Sequence, residues 1–389
     1  MKNILYLSFF FEPDLSACSF RNSSLAAELA KQVKGKATVE LFTTKPNRYS
    51  SFKTAAPAQE VRDNLLIHRL DIPVHKNGFS DQVKSFWSYF SQVRKLTKNK
   101  QYDLVFASSS KLFTAYLGYT IAKKQNIPLY LDIRDIFIDT IEDVVKNIAV
   151  QKTLVPVFRR VERKVFSNAT HINLISEGFK GYFTKYGKPS YSSYPNGIDD
   201  VFLSLPLSEE KPGTVKTIMY AGNIGEGQGL HKIVPQAAAK LGKEYKFVII
   251  GDGGAKQKLL DEIVAHKVNN VELRQPVQRK ELIQLYGEAD FLFIHLNDYK
   301  AFEKVLPSKV FELGTFDKPV IAGVAGYASK FIDQYLSNKI LFKPCDVDSF
   351  VKQLKAYRYK NEYRKTFIEN FKRETINKKL SASITSYIK

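Results

Sequence analysis

The chain has 389 residues, of which 44% are apolar and 25% charged, a composition typical of folded globular proteins and not of disordered ones. Its length exceeds what one hydrophobic core usually organises, and no window of about 18 uninterrupted apolar residues is present, so we expect two domains and no membrane-spanning helix. The net charge of +20 favours anionic partners such as nucleic acid, anionic lipid or phosphorylated substrates.

The first segment contains a sequence that could be mistaken for an export signal. Residues Leu15–Cys18 match a lipoprotein cleavage box by letters, but the apolar run before the box is interrupted by Glu12–Asp14. Export is therefore not predicted. The two cysteines, Cys18 and Cys345, cannot form a disulfide framework, which favours a reducing compartment.

In the first half, short β-branched or aromatic runs alternate with segments of helical period, as in parallel sheets built from βαβ units. The predicted strands are Asn3–Phe9, Ala37–Thr43, Leu65–Leu70, Asp103–Ser108, Pro128–Ile133 and His171–Ile175. Helices are predicted between them, for example over Phe20–Lys34, Lys111–Gln125 and Leu154–Ser167. A polar stretch from Leu203 to Gly213 contains proline and is predicted to be an interdomain linker.

The second half repeats the alternation. Its predicted strands are Val215–Ala221, Lys246–Gly251, Asn270–Arg274, Asp290–His295, Pro319–Ala322 and Ile340–Lys343. Its predicted helices are His231–Leu241, Ala255–His266, Arg279–Gly287 and Ser308–Thr315, and the end from Asp346 is helical. The pattern predicts an α/β protein with two doubly wound domains and a cleft between them. This arrangement suits transfer of a group between a bound donor and a bound acceptor. The alternative is a protein with a single ligand site, in which the second domain has only a structural role.

Glycine-rich turns follow two neighbouring strands of the second half. The first, Gly222–Gly229, holds four glycines directly after a strand and before a helix, where peptide N–H groups and the helix dipole can bind phosphate. Its spacing matches neither the dinucleotide fingerprint nor a P-loop, and a plain turn is the alternative. The second turn, Gly251–Gly254, is expected to share the same pocket.

The segment from Pro307 to Glu312 is a second candidate for binding an anion. Pro307 and Ser308 are good helix starters, so Lys309 would lie in the first helical turn, where its charge opposes the helix dipole. That placement is favourable if an anion binds there. Glu312 lies three residues later on the same side. The alternative is a capping box with Ser308 as the N-cap, in which Glu312 lies one residue beyond the usual position of the glutamate.

Charged residues also occur at strand ends in the first half. Asp132, Arg134 and Asp135 follow an apolar strand and are predicted to point into the cleft, with a plain salt bridge as the alternative. Arg21 opens a helix after a loop and could bind an anion or be solvated. The six histidines lack i, i+4 ligand spacing, and no Asp-x-Asp pair or Gly-x-Ser-x-Gly turn is present, so neither a metal nor another cofactor is expected.

Together these segments resemble the GT-B-fold glycosyltransferases of family 4 over most of the chain. The opening strand Tyr6–Phe11 with Glu12 and Arg21 resembles the family's acceptor-side loop, and Gly222–Gly229 its donor phosphate loop. Tyr194–Asp199 resembles the stretch before the hinge. Three features resemble bacterial surface-polysaccharide enzymes, especially the fucosamine-transferase-like branch: Gln228, Pro307–Lys309 and the pair Arg134-Asp135.

The resemblance implies a GT-B fold with an acceptor domain over residues 1–203, a nucleotide-sugar domain over 204–369 and a C-terminal helix of about 370–389 packing back on the first domain. It implies retaining, metal-independent transfer of a sugar, for example of the N-acetylfucosamine type. The donor would be a UDP-linked nucleotide-sugar and the acceptor an undecaprenyl-diphosphate-linked saccharide of O-antigen or capsule biosynthesis. Catalysis is assigned to Lys309, Asp135 and Arg134, and acceptor binding to Arg21 and Glu12. Donor binding is assigned to Gly222, Asn223, Gly225, Gln228, Gly229, Gly251, Val277, Ser308 and Glu312.

Two departures from the family pattern matter. The family has two glutamates, and Glu312 fits the second, whereas the first is missing or shifted, with Glu303 beside Lys304. Asn223 and Gln228 stand where an arginine and a lysine are usual. We therefore expect Lys309 to supply the missing positive charge to the diphosphate.

Two basic, partly aromatic segments of the first half favour peripheral contact with an anionic membrane. Lys84–Lys100 and Lys152–Lys164 each carry five basic residues together with apolar residues near helical spacing. Two ordinary amphipathic helices covering a sheet are the alternative. With the reducing compartment, this predicts a cytoplasmic enzyme on the inner face of the plasma membrane.

Three other functions are considered. A sugar-nucleotide epimerase of the same architecture would turn over donor without an acceptor. A nicotinamide dehydrogenase would need a dinucleotide fingerprint, which the sequence lacks. A nucleic-acid-binding protein would explain the charge but not the two glycine turns.

Overall fold

The computed structural model describes residues 1–14, 16–47, 55–73, 79–109, 112–139, 148–203 and 215–388. It divides into two compact units, one formed by Met1–Asn196 with Arg373–Lys389 and the other by Gly197–Lys372. Each unit is a largely parallel sheet with helices, so the predicted α/β class with two doubly wound sheets is confirmed.

The sheet of the first unit has eight strands in the order β3-β4-β2-β1-β5-β6-β7-β8, with β3 antiparallel to β4 and all other neighbours parallel. The strands are β1 Lys2–Ser8, β2 Ala37–Thr44, β3 Gln59–Arg62, β4 Leu65–Leu70, β5 Leu104–Ser109, β6 Leu129–Ile133, β7 His171–Leu174 and β8 Ser190–Ser193. The sequence analysis did not predict β3 and β8. These two edge strands are short and polar, so they lack the apolar run that marks a buried strand.

The helices of the first unit are α1 Ala17–Gln32, α2 Phe79–Thr97, α3 Leu112–Gln125, α4 Ile148–Phe166, α5 Lys180–Phe183 and α13 Arg373–Thr385. The Ser16 hydroxyl caps α1 by accepting from the Ser19 N–H at 3.2 Å. Leu25 and Leu29 of α1 share a buried cluster with Leu380 and Ile384 of α13. The C-terminal helix therefore belongs to the first unit.

The sheet of the second unit has six parallel strands in the order β11-β10-β9-β12-β13-β14. They are β9 Lys216–Asn223, β10 Tyr245–Asp252, β11 Val271–Arg274, β12 Phe291–His295, β13 Val320–Gly323 and β14 Lys339–Phe342. From β9 the chain builds outward through β10 to β11 and then returns to β12 on the other side of β9. Such a reversal leaves a crevice at the carboxyl ends of the strands, the usual ligand site of an open parallel sheet.

The helices of the second unit are α6 Val234–Leu241, α7 Lys256–Ala265, α8 Arg279–Glu288, α9 Lys309–Leu313, α10 Gly326–Tyr335, α11 Val347–Ala356 and α12 Lys365–Phe371. Alternate side chains of the strands enter two apolar clusters. Met219 and Leu292 lie in one, and Ile218 and Phe293 lie in the other. The two clusters explain why these strands are apolar on both faces.

The division between the units falls before Gly197, earlier than the predicted boundary after residue 203. The reason is burial, since Ile198 and Phe202 lie in the apolar core of the second unit. Most of the predicted linker, residues 204–213, lies outside the described residues. Within the described ranges, no helix combines the length and the hydropathy that crossing a membrane requires.

Candidate donor site and the buried charges of the first unit

The two glycine turns of the second unit pack directly against each other. The Ile224 N–H donates to the Asp252 carbonyl at 2.8 Å, and the Ala255 N–H donates to the Ile224 carbonyl at 2.9 Å. A methyl group built on Gly251, whose φ is +152°, would lie 1.9 Å from the Gly222 carbonyl oxygen. Glycine is therefore required here because two backbones touch, in addition to any contact with a ligand.

Gln228 closes the first turn from within. Its side-chain oxygen accepts from the Asn223 side-chain amide at 2.8 Å and from the Gly225 N–H at 3.2 Å. Gly229 follows with φ +59°, a left-handed conformation that suits glycine. The predicted donor residues Gly222, Asn223, Gly225, Gln228 and Gly229 thus form one hydrogen-bonded turn at the β9 end of the crevice.

Two residues at the end of β12 hold this turn from outside. The His295 imidazole lies 2.6 Å from the Gln228 carbonyl through Nδ1, and its Nε2 accepts from the Cys345 N–H at 3.0 Å. The Asn297 N–H donates to the Gly227 carbonyl at 2.8 Å, and its side-chain amide donates to the Glu226 carbonyl at 2.8 Å. Sequence reasoning missed both residues, although their position just after a buried strand was a usable signal.

His295 is held in its neutral form. Its side chain is buried, and burial lowers the pKa of His295 to about 4. The hydrogen bonds require the same state, because Nδ1 must carry a proton to donate to a carbonyl while Nε2 must be free of one to accept. A protonated imidazole would leave the Cys345 N–H facing another donor.

Replacing His295 with phenylalanine is expected to weaken donor binding about tenfold or more and to alter the pH dependence of stability. In the wild type the unfolded chain binds a proton that the folded protein excludes, so stability present above pH 6.5 is lost as the pH falls toward 4. Phenylalanine fills the space but forms neither hydrogen bond, so this contribution disappears. Urea unfolding between pH 4 and 7 measures it.

The matched control is His266→Phe, because His266 is exposed on the surface of the same unit. It should retain donor binding. If the His295 and His266 variants show the same dependence on pH, His295 does not have the role described.

Lys309 and Glu312 form an ion pair on α9. The Lys309 Nζ lies 2.9 Å from a Glu312 carboxylate oxygen and 3.4 Å from the hydroxyl of the buried Tyr286. Ser308 precedes the helix but makes no side-chain capping bond, so the capping-box alternative is not what forms. An ammonium has three N–H groups, and these two contacts leave one for a ligand.

The surroundings keep Lys309 charged. Burial would lower the pKa of Lys309, but the Glu312 carboxylate and Tyr286 oppose burial and hold the pKa above its ordinary value. About a quarter of the side chain stays exposed, at 23%. Lys309 therefore carries a fixed positive charge that a ligand can reach.

Val277 lies after β11 and is only partly exposed, because its side chain packs against one of the two apolar clusters of the second unit. Arg279 begins the next helix and pairs with Asp199 at 2.5 Å. Val277 can therefore offer a ligand only an apolar contact.

Arg21 does not fit the predicted acceptor role. It is fully buried in the first unit and bonds both oxygens of Asp132, at 3.1 and 3.0 Å. Two further N–H groups donate to the carbonyls of Tyr194 at 2.9 Å and Pro195 at 2.5 Å. The sequence could not show this pairing because Asp132 lies 111 positions away in the chain. Arg21 is a buried structural charge.

Asp132 is ionised in this pair. Burial would raise the pKa of Asp132, but Arg21, Arg134 and Asn173 outweigh it and hold the pKa below the ordinary value. Asn173 donates to the carboxylate at 2.7 Å. The salt-bridge alternative considered for this strand end is thus realised by Arg21 with Asp132.

Arg134 is a second buried guanidinium at the end of β6. Its side chain is 4% exposed and donates to the Asn196 side chain at 3.1 Å. The Cys18 side chain interacts with the guanidinium, and within the described ranges the Nε and Nη1 groups have no other hydrogen-bond partner. Buried donors of this kind usually have a partner, so Arg134 can donate a hydrogen bond to a substrate oxygen. Asp135 follows it and is exposed.

Glu12 follows β1 and forms an ion pair with Arg62, with 38% of its side chain exposed. It is therefore accessible at the same carboxyl edge of the sheet as Arg134. Among the described residues, no cluster of three His, Cys, Asp or Glu side chains has the geometry of a metal site.

Residues 205–374 match the family described as Glycosyl transferases group 1. The matched residues nearly coincide with the second unit and include both glycine turns and the Lys309–Glu312 pair. The family match thus covers the second unit and less than half of the whole chain.

Known proteins share the fold over the whole chain and sequence over part of it. WcaI of Escherichia coli strain K12, named as a glycosyl transferase of colanic acid biosynthesis, is 29% identical over 99 residues, which are 25% of this chain and 24% of WcaI. The chain thus matches about a quarter of that relative's length.

Two solved structures align with 99% of the chain. Sucrose-phosphate synthase from Thermosynechococcus elongatus has a TM-score of 0.76 at 12% identity, with 99% of its own chain covered. Anabaena Alr3699/HepE, solved in complex with UDP-glucose, has a TM-score of 0.69 at 14% identity, with 100% covered. Because the sequence identities are this low, the structural similarity establishes the fold alone. It confirms the predicted GT-B fold class.

Proposed function

We propose that the chain is a retaining, metal-independent glycosyltransferase that moves a sugar from a UDP-linked donor to a lipid-linked saccharide in O-antigen or capsule biosynthesis. An N-acetylated sugar, for example of the N-acetylfucosamine type, is the proposed donor sugar. The observation that carries this proposal is the pair of glycine turns at the β9 crevice of a group 1 domain. The complex of the HepE structure with UDP-glucose supports a nucleotide-sugar as the ligand class.

The donor diphosphate is proposed to bind at the first glycine turn and Lys309. When the bond between sugar and diphosphate breaks, negative charge develops on the departing oxygen, and a fixed cation with peptide N–H groups stabilises it. Lys309 supplies the cation that Asn223 and Gln228 do not. Glu312 keeps the ammonium in place and is proposed to contact the nucleotide ribose.

The acceptor is proposed to bind the first unit near Arg134, Asp135 and Glu12. Arg134 offers buried N–H donors to an oxygen of the acceptor or of the donor sugar, and Asp135 offers an exposed carboxylate. Arg21 is left out of this set, because its N–H groups are occupied by Asp132 and two carbonyls. The enzyme needs no nucleophile of its own, since family members with retention require none.

The membrane contact is proposed to be peripheral, on the cytoplasmic side. The apolar stripe expected to face lipid packs inward instead: Phe86, Phe90 and Val93 of α2 are buried, whereas Trp87 is 66% exposed and Leu96 is 44% exposed. The predicted helix therefore covers the sheet, and a different face of it remains for lipid.

The donor can be identified by measuring thermal unfolding in the presence of each member of a panel of nucleotide-sugars. A ligand present at a concentration of 100 times its Kd stabilises the folded state by about 2.7 kcal/mol. The matched variants are Gly251→Ala, whose methyl group would collide with the Gly222 carbonyl, and Gly254→Ala, whose methyl group meets nothing within 4 Å. Stabilisation should be lost in the first variant and kept in the second.

Nucleotide release that depends on an added acceptor distinguishes transfer from the alternative epimerase, which would turn over donor alone. Activity that disappears with a chelator and returns with a divalent ion would contradict metal-independent transfer. A salt-sensitive shift of nucleic acid in a gel, without any donor stabilisation, would favour the nucleic-acid-binding alternative.

A further inference from the structure

A groove lies between α2 and α3 of the first unit. Its volume is about 430 Å³, within the range of small-ligand sites. The groove is lined by Trp87, Phe90, Ser91, Arg94, Lys95, Thr97 and Lys98, and by Thr120, Ile121, Lys124 and Gln125. It involves none of the residues assigned above to donor or acceptor.

The apolar wall of the groove is an aromatic stack. The rings of Trp87 and Phe90 lie 5.5 Å apart at 8°, and those of Phe90 and Tyr116 lie 6.2 Å apart at 13°. Phe90 is buried and fixed, whereas Trp87 is 66% exposed and is the one tryptophan of the sequence. An exposed indole on a rigid aromatic base is costly in water and favourable at a lipid interface.

The rim of the groove is basic. Arg94, Lys95, Lys98 and Lys124 line it, and no acidic residue does. Within the described part of the chain, none of the four forms an ion pair with a carboxylate, although the Arg94 guanidinium lies 5.8 Å from the Phe90 ring centre. Cations stabilise the last turn of a helix, but four of them around one groove repel one another unless an anion is present.

We propose that this groove binds one anionic phospholipid, with the headgroup phosphate against the basic rim and the adjoining part of an acyl chain against Trp87 and Ile121. The inference rests on the membrane contact of the proposed function and gives that contact a defined site. The combination of apolar wall and basic rim favours an anionic amphiphile over a phosphate alone, because a free phosphate would leave the aromatic wall exposed to water.

The single tryptophan reports directly on this site. Vesicles of phosphatidylglycerol should shift Trp87 emission to the blue and quench it when the acyl chains are brominated, whereas phosphatidylcholine vesicles should not. Monomeric short-chain phosphatidylglycerol, below its micelle concentration, should produce the same quenching. The double variant Lys98→Ala/Lys124→Ala should raise the lipid concentration that gives half of the Trp87 fluorescence change roughly 30-fold. Each basic residue near an anionic surface increases the affinity for that surface about fivefold.

The control is Lys352→Ala/Lys355→Ala, which removes two exposed lysines from α11 of the second unit and should change nothing. The proposal is overturned if neutral and anionic vesicles act alike, if the two double variants behave alike, or if only vesicles and never monomeric lipid affect Trp87. Quenching by a single-stranded oligonucleotide in place of lipid would assign the groove to nucleic acid. Transfer to a soluble acceptor is measured separately, so failure of lipid binding is distinguishable from failure of the proposed transfer.

Discussion

Lys309→Ala is expected to lower kcat by roughly 10²–10³ with donor at saturation, the loss typical of removing one group that stabilises a developing oxyanion. Lys309 is the cationic residue of α9 and is partly exposed, and Glu312 with Tyr286 holds its Nζ in place. Asn223 and Gln228 are neutral and are bonded to each other, so they cannot replace its charge.

Two further variants separate charge from structure. Lys309→Arg keeps the charge and should retain part of the activity, whereas Lys330→Ala removes an exposed lysine from α10 and should leave kcat unchanged. Steady-state rates and thermal unfolding of the four proteins provide the comparison. If Lys309→Ala and Lys330→Ala turn over donor at the same rate, Lys309 has no part in the chemical step.

Arg21→Met should destabilise the first unit by roughly 3–5 kcal/mol, the usual cost of removing one partner of a buried ion pair. The substitution leaves the Asp132 carboxylate buried without its cation and leaves two backbone carbonyls without their donors. The midpoint of chemical denaturation, followed by circular dichroism, measures the loss.

The double variant Arg21→Met/Asp132→Leu should recover part of this stability, because replacing both charges by apolar groups removes the unpaired carboxylate. Arg62→Met is the control, since its ion pair with Glu12 is exposed and such pairs contribute less than about 1 kcal/mol. An Arg21 variant no less stable than the Arg62 variant would show that the buried pair is dispensable.

Several features of this protein follow from local sequence. The six predicted strands of the second unit all form, and the four central ones are apolar runs buried on both faces, the usual pattern of parallel strands. The glycine turns also follow, because positive φ and the contact between two backbones both select glycine. The Lys309–Glu312 pair lies within one helical turn and so was predictable from its spacing.

Other features depend on contacts between distant segments. The sequence suggested that Arg21 binds an anion, and only folding brings Asp132 of β6 against its guanidinium. The position of His295 at the end of a buried strand does not by itself reveal its role, since its two hydrogen bonds reach Gln228 and Cys345, far from it in sequence. The apolar stripe of α2 could have faced lipid or the sheet, and the sheet buries it while leaving Trp87 outside.

The physical reason for this division is the range of the interactions. Strand propensity, turn geometry and helical spacing act over a few neighbouring residues, so the sequence by itself determined the inner strands of the two sheets, the glycine turns and the pairing on α9. Burial and charge neutralisation act between elements that meet only after folding. Only the tertiary structure therefore decided which arginine is structural, which histidine supports the first glycine turn and which face of α2 remains exposed.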